Sequence, residues 1–308
     1  MIVMTSFKKN IDLIGFPMDL GANRRGVDMG PSALRIAGII EELELLGYRI
    51  QDLGNIPIHP REHQILTHPG LRYLEEIVRT SGMLATSVEK SLKNGHFPLC
   101  MGGDHSMAIG SIAGVAAFCR NVQKPLGVIW IDAHTDMNTE ATSPSGNIHG
   151  MALAVSLGLG HPQLTRLMGF TPKIEPHSCA LAGIRKIDPL EKETVKRLHL
   201  PVYTMSDIDR NGAHQTIRSI LDALAHVGHI HVSLDLDSVD PSVAAGVGTP
   251  VAGGLTYREI HLIMETIAEC GCMGSLDVAE LNPILDNRNR TARLAAELVA
   301  SSMGMRIL

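Results

Sequence analysis

The residues with the clearest chemical promise stand where short apolar runs give out. Ile129-Trp-Ile131 leads into Asp132-Ala-His134-Thr-Asp136, and alternate positions of an extended chain face one way, so two carboxylates and an imidazole point at a common centre. A polar turn with N-capping aspartates is the alternative, but a buried strand has little packing reason to set a histidine between two aspartates. His231-Val-Ser-Leu-Asp235-Leu-Asp237 alternates strictly, with Val232, Leu234 and Leu236 on one face and Ser233, Asp235 and Asp237 on the other. Like charges so close repel, and burying either one ionised costs several kcal/mol unless a cation offsets it. A solvated edge-strand face is the other option. Phe97-Pro-Leu-Cys-Met101 runs into Gly102-Gly-Asp-His105-Ser106, where the glycines permit a tight turn; alone, this reads equally well as a loop histidine.

Together His105, Asp132, His134, Asp136, Asp235 and Asp237 offer four carboxylates, two imidazoles and no thiolate. Oxygen-rich ligation favours Mn²⁺ or Mg²⁺ over structural zinc, and the imidazoles tilt the choice toward Mn²⁺ or a neighbouring transition metal. Four negative charges match two divalent ions. Centres about 3.5 to 4 Å apart lower the pKa of a shared water and supply a bridging hydroxide nucleophile at neutral pH.

The elements that must position these residues follow from periodicity. Short apolar runs predict about eight strands: Ile11 to Phe16, Tyr48 to Leu53, Phe97 to Met101, Gly127 to Asp132, Cys179 to Ile184, Pro201 to Met205, Ile230 to Leu236 and Met273 to Val278. Helical spacing marks Ser32 to Leu46, opened by Pro31 and closed by Gly47, and also Leu71 to Asn94, His214 to His226 and Thr256 to Cys270. The strand–helix alternation and a continuous apolar run such as Leu126 to Ile131 predict a mostly parallel sheet covered on both sides. No linker divides residues 1–308, which read as one α/β domain. In such a sheet, ligands gather beyond the carboxyl ends of the strands.

Composition narrows the function classes. With 27 Lys+Arg against 32 Asp+Glu the net charge is −5, so the basic excess of a nucleic-acid binder is missing. No run of 18 apolar residues exists to span a membrane, and Lys8 and Lys9 follow the only apolar stretch of the opening segment, the reverse of a signal peptide; a cytoplasmic protein is expected. The five cysteines, Cys100, Cys119, Cys179, Cys270 and Cys272, are scattered and odd in number, which predicts reduced, buried thiols. Of the 15 histidines, His59, His63 and His68 read as surface-loop residues.

Gly102-Gly-Asp-His-Ser106, Asp132-Ala-His-Thr-Asp136 and Ser233-Leu-Asp-Leu-Asp-Ser-Val-Asp-Pro241, in that order, resemble the signatures of the ureohydrolase superfamily, and the pattern is closest to its arginase branch. The likeness runs from Gly26-Val-Asp-Met-Gly-Pro-Ser32 to Glu280-Leu-Asn-Pro283 and beyond. It implies a three-layer α/β/α domain with an eight-stranded parallel sheet, assembled as homo-oligomeric trimers or hexamers. It also implies a binuclear Mn²⁺ cluster held by the six residues above, and hydrolysis of the guanidinium of L-arginine to urea and L-ornithine. Agmatine or another guanidino compound is the related possibility, and a catalytically silent metal-binding oligomer the remote one. By this resemblance His149, Asp136 and Glu280 form the catalytic set, with His149 the proton shuttle and Glu280 paired to the guanidinium. Asn138 and Ser145 bind the α-carboxylate, Asp188 meets the α-amino group and Thr249 lies near the site. Two departures bear on specificity. Ala152 stands where the family frequently has Pro, and Lys186 stands where many members have an acidic residue.

Overall fold

The computed structural model describes residues 10–64, 68 and 70–306. The opening segment, read above as the reverse of a leader, lies outside the described residues apart from Asn10. All eight expected strands form: β1 (Asn10–Phe16), β2 (Arg49–Asn55), β3 (Phe97–Gly102), β4 (Leu126–Ile131), β5 (Cys179–Ile184), β6 (Val202–Thr204), β7 (His229–Asp235) and β8 (Met273–Ala279). They make one sheet in the order β2-β1-β3-β8-β7-β4-β5-β6, and every pairing is parallel.

The period of two sorts side chains onto two cores. Ile129 and Ile131 of β4 join one, with the helices Tyr257–Cys270 and Arg290–Ser302; Val128 and Trp130 join the other, with the helices Leu74–Lys93 and Met107–Asn121. β4 and β5, buried on both faces, are continuously apolar, whereas β7 and β8 alternate apolar residues with buried polar ones such as Ser233, Asp235, Ser275 and Asp277. The result is the expected three-layer α/β/α arrangement. Among the described residues no helix is long and apolar enough to cross a membrane.

Two expectations are corrected. The segment expected as one helix over Ser32 to Leu46 is two, Gly30–Ile36 and Ile39–Leu45, because Gly38 takes a left-handed φ of 89° between them. Cys270 and Cys272 are joined as a disulfide rather than held as thiols. Gly271, at φ 64°, turns the chain between them and leaves their Cα atoms 5.2 Å apart, within bridging range. Cys100, Cys119 and Cys179 are free and buried, as expected.

Between β3 and β4 in the sheet lie β8 and β7, so the chain order reverses here and a crevice opens beyond the carboxyl ends of these four strands.

Candidate metal centre and active site

Each strand end contributes through a local device. After β3 the chain turns so tightly that a Cβ on Gly103 would stand 2.2 Å from the Met18 carbonyl oxygen. That turn buries His105 completely, stacked on Trp130 with ring centroids 4.0 Å apart. Its Nε2 is 2.9 Å from Ser233 Oγ; with Nε2–H as the donor there, the lone pair of Nδ1 faces the crevice. Around Nδ1 stand Asp132 Oδ2 at 3.1 Å, Asp136 Oδ2 at 3.2 Å and Asp235 Oδ2 at 3.1 Å.

A second group adjoins the first. His134 Nδ1 lies 3.1 Å from Asp237 Oδ2 and 3.5 Å from Asp132 Oδ1. Asp132 therefore turns one oxygen to each imidazole and belongs to both groups. Its carboxylate is held by Trp130 Nε1–H, which donates to Oδ2 at 2.9 Å, and by the His134 backbone N–H, which donates to Oδ1 at 2.6 Å. Asp237 Oδ2 accepts from Thr249 Oγ1 at 2.7 Å.

Strand alternation accounts for part of the convergence, since Ser233 and Asp235 of β7 both meet the His105 ring, but not for Asp136 or Asp237. β4 ends at Ile131, and Asp136 reaches the centre through a left-handed backbone at φ 48°. β7 ends at Asp235, and a single 3-10 turn over Leu236–Ser238 carries Asp237, whose N–H donates to Asp235 Oδ1 at 2.7 Å.

The donor set fits divalent cations. Among the described residues His105 Nδ1 is buried and makes no hydrogen bond although three carboxylate oxygens crowd it, the arrangement of ligands around an ion rather than of partners to each other. Burial, together with neighbouring carboxylates, pushes the Asp235 and Asp237 carboxyls up, and Asp136 to about 6. Burial also opposes ionisation of Asp132, but the two imidazoles outweigh it and hold that carboxyl below its ordinary range. Ionising all four together calls for positive charge at the centre.

Above the cluster is a cleft of about 170 Å³ lined by Asn138, Ser145, His149, Lys186, Asp188 and Thr249, with His134, Asp136 and Asp235 on its floor. An adjoining cavity of about 320 Å³ shares His149, Lys186 and Thr249 and reaches Arg24 and Glu280. Glu280 is buried in a left-handed conformation, φ 64°. Its Oε1 accepts from the His105 N–H at 3.0 Å and lies 3.0 Å from His149 Nδ1, while Oε2 is buried without a hydrogen bond among the described residues. Burial works to lower the His149 pKa, but the Glu280 carboxylate, with Asp104 and Asp136 near, raises it to about 9. Asn138 Nδ2 donates to Asp188 Oδ2 at 3.1 Å. Thus every site residue expected from the sequence gathers at this crevice. Of the two departures, Lys186 lines both cavities, whereas Ala152 is fully buried in the apolar core and lines neither.

The model of the Arginase family matches residues 9–304. The chain belongs to the arginase family. It is 50% identical to the arginase of Bacillus caldovelox over 304 residues, 97% of this chain and 100% of that one. Its fold superposes on the crystal structure of the Bacillus subtilis arginase with a TM-score of 0.90 at 48% identity, covering 97% of this chain and 100% of that one. The Entamoeba histolytica arginase, solved in complex with L-ornithine, matches with a TM-score of 0.88 at 31% identity, covering 97% of this chain and 100% of that one. As a member of the arginase family the chain is a hydrolase, and the family together with the two His/Asp groups points to a metal cofactor.

Several residues that shape the site were not singled out in the sequence. Glu191 accepts from Thr135 Oγ1 at 3.1 Å, from the Met137 N–H at 2.9 Å and from the Asp188 N–H at 2.9 Å, so one buried carboxylate ties the loop of Asp136 to that of Asp188. Its signal was present as the capping-box spacing Asp188-Pro-Leu-Glu191. Asp104, fully buried, accepts from the Gly21 N–H at 2.7 Å, and burial with Glu280 nearby raises its carboxyl to about 7. Arg185 donates to the backbone carbonyls of Asp237 at 2.6 Å and Ser238 at 3.0 Å and pins the 3-10 turn. No local pattern announced that role.

Proposed function

We propose that the chain hydrolyses L-arginine to L-ornithine and urea with two Mn²⁺ ions, one held by His105, Asp132, Asp136 and Asp235 and the other by Asp132, His134 and Asp237. The observation that carries this reading is the single carboxylate of Asp132 shared between two imidazole-bearing groups. When bound, the ions supply Lewis acidity and acidify water, so that a nucleophile is available at neutral pH.

The protein's own groups do the rest. Glu280 Oε2 is buried without a hydrogen bond among the described residues, and the planar guanidinium suits it as a charge-assisted donor. His149, raised to about 9, carries a proton at neutral pH and is placed to give it to the leaving amine. Asn138, Ser145 and Asp188 read the amino-acid end, where Asn138 already bonds Asp188. Arginine has an α-carboxylate and agmatine has none, so the preference between them is decided at that end.

Lys186 favours a second reading, a guanidino acid without an α-amino group. Lys186 lines the same cleft as Asp188, and its positive charge works against an α-ammonium while attracting a carboxylate. With the main reading go a single domain over residues 1–308, a cytoplasmic location and assembly as trimers or hexamers, all supported by likeness to the family.

The test is urea release after manganese loading, measured side by side on arginine, agmatine and guanidinobutyrate. Arginine is expected to give the highest kcat/KM. Guanidinobutyrate as the best substrate would replace the main reading by the second, and equal rates on arginine and agmatine would overturn both.

A further inference from the structure

The main centre is dominated by carboxylates; a smaller group elsewhere is dominated by imidazoles. Ligand atoms of His68, Glu140 and His161 all lie within 4.8 Å of one another. His68, expected from the sequence to be an ordinary loop histidine, meets His161 edge to face with ring centroids 5.2 Å apart. Its Nδ1 is buried and has no hydrogen-bond partner among the described residues. Packing two imidazoles together and burying a bare ring nitrogen costs free energy with no return from hydrogen bonding.

We propose that His68, Glu140 and His161 form a further cation site, one that takes zinc or a chemically similar divalent ion.

Two imidazoles and one carboxylate make up a recurrent zinc donor set, and imidazole-rich sites select zinc, nickel or copper over manganese. Ligand atoms around a tetrahedral zinc stand about 3.3 Å apart, given metal–ligand bonds of about 2.0 to 2.1 Å. Closing from separations of at most 4.8 Å asks for a movement of no more than about 1.5 Å, within reach of the exposed Glu140 side chain. Among the described residues the His161 ring makes one hydrogen bond, accepted by Nδ1 from the Gln163 N–H at 3.4 Å, a long contact that an ion could displace.

The three residues come from three segments, so an ion there acts as a clasp. Glu140 lies between Asn138 and Ser145 on the loop that lines the cleft, and His68 lies just before the helix Leu74–Lys93. Those two segments already touch: the Arg72 N–H donates to the Gly146 carbonyl at 3.0 Å, and a Cβ on Gly146 would stand 2.8 Å from the Gly70 carbonyl oxygen. The ion would fasten the loop of Asn138 and Ser145 to this neighbour without touching the main centre.

The experiment uses the manganese-loaded enzyme. Crystals soaked in zinc chloride are measured on both sides of the zinc absorption edge, and a zinc-specific peak is expected among the three side chains. In solution, equilibrium dialysis against zinc in excess manganese should show one more bound zinc per chain for the wild type than for His68→Ala/His161→Ala, with equal manganese content in both. The manganese content reports that the double variant is folded, and the wild-type map stands without it. Absence of a zinc-specific peak at the three side chains, or equal zinc counts in the two proteins, overturns the proposal. Neither readout depends on which guanidino compound the main site cleaves.

Discussion

At the residue level, His149 and the pair Asn138 and Ser145 are expected to make separable contributions. His149 contacts Glu280 rather than the clustered aspartates, so its loss should spare the metal centre. His149→Ala is expected to lower kcat about 10²- to 10⁴-fold, the usual contribution of an acid–base group, with bound manganese unchanged. Metal analysis alongside kinetics checks this: a variant that loses manganese makes His149 a ligand and removes its proton-transfer role. Asn138→Ala/Ser145→Ala should raise KM for arginine, because each direct contact to a carboxylate is worth about 1.5 to 3 kcal/mol, roughly 10- to 150-fold. Any turnover of agmatine should hardly change. Equal losses on both substrates would mean that the loop shapes the cleft and does not read the carboxylate.

At the level of elements, the helix Leu74–Lys93 supplies a pH-dependent prediction. In its first turn Glu76, 5% exposed, accepts from the His59 N–H at 2.7 Å and from Arg79 Nε and Nη2 at 2.9 and 2.6 Å. Burial opposes its ionisation, yet Arg79 and His59 prevail and hold the carboxyl down to about 2. An acid whose folded pKa is depressed stabilises the fold above its unfolded value, about 4.3, and loses that contribution as pH falls toward 2. Glu76→Gln should therefore destabilise at pH 7 by up to about 3 kcal/mol, and the gap should narrow between about pH 4 and pH 2. Denaturant unfolding of both proteins at pH 7 and pH 3 measures it; a gap of constant size would remove the ion pair as its cause. The sequence was most legible at this scale, and unevenly so. All eight strands could be read because β3, β4 and β5 are apolar throughout and the others carry short apolar or alternating runs. The helix Met107–Asn121 could not, since it is buried nearly all round and shows no one-sided period. The site was legible in its residue types, but the reason for its convergence was not. Asp136 and Asp237 arrive through a left-handed residue and a 3-10 turn, not by alternation. The cradle of His105 depends on register: Trp130 of β4 pairs with Ser233 of β7, which puts the indole and the hydroxyl on one imidazole. Strand register is a long-range property that no local pattern encodes.

For the whole molecule, the arrangement that makes the centre reactive also makes it costly. Asp132, Asp136, Asp235 and Asp237 are all 6% exposed or less, and they arrive from two neighbouring strands while His105 and Glu280 arrive from two more. Mutual repulsion at that junction works to part the strand ends at the middle of the sheet, and divalent ions reverse its sign. Any ligand bound only by the folded state stabilises it, by about 2.7 kcal/mol per site at a free concentration 100-fold above Kd. Two such sites correspond to a rise in Tm of roughly 5 to 10 °C for a chain of this size. Chelation should therefore lower Tm by about that amount, and manganese should restore it. Asp132 belongs to both His/Asp groups, so Asp132→Asn should abolish most of the manganese-dependent rise, whereas Asp237→Asn, which touches one group, should leave part of it. Thermal scans of the chelated and reloaded proteins decide the matter. A wild type that melts at one temperature with and without manganese would show that the strand ends are held by the fold alone, and equal residual shifts in the two variants would show that Asp132 is not shared.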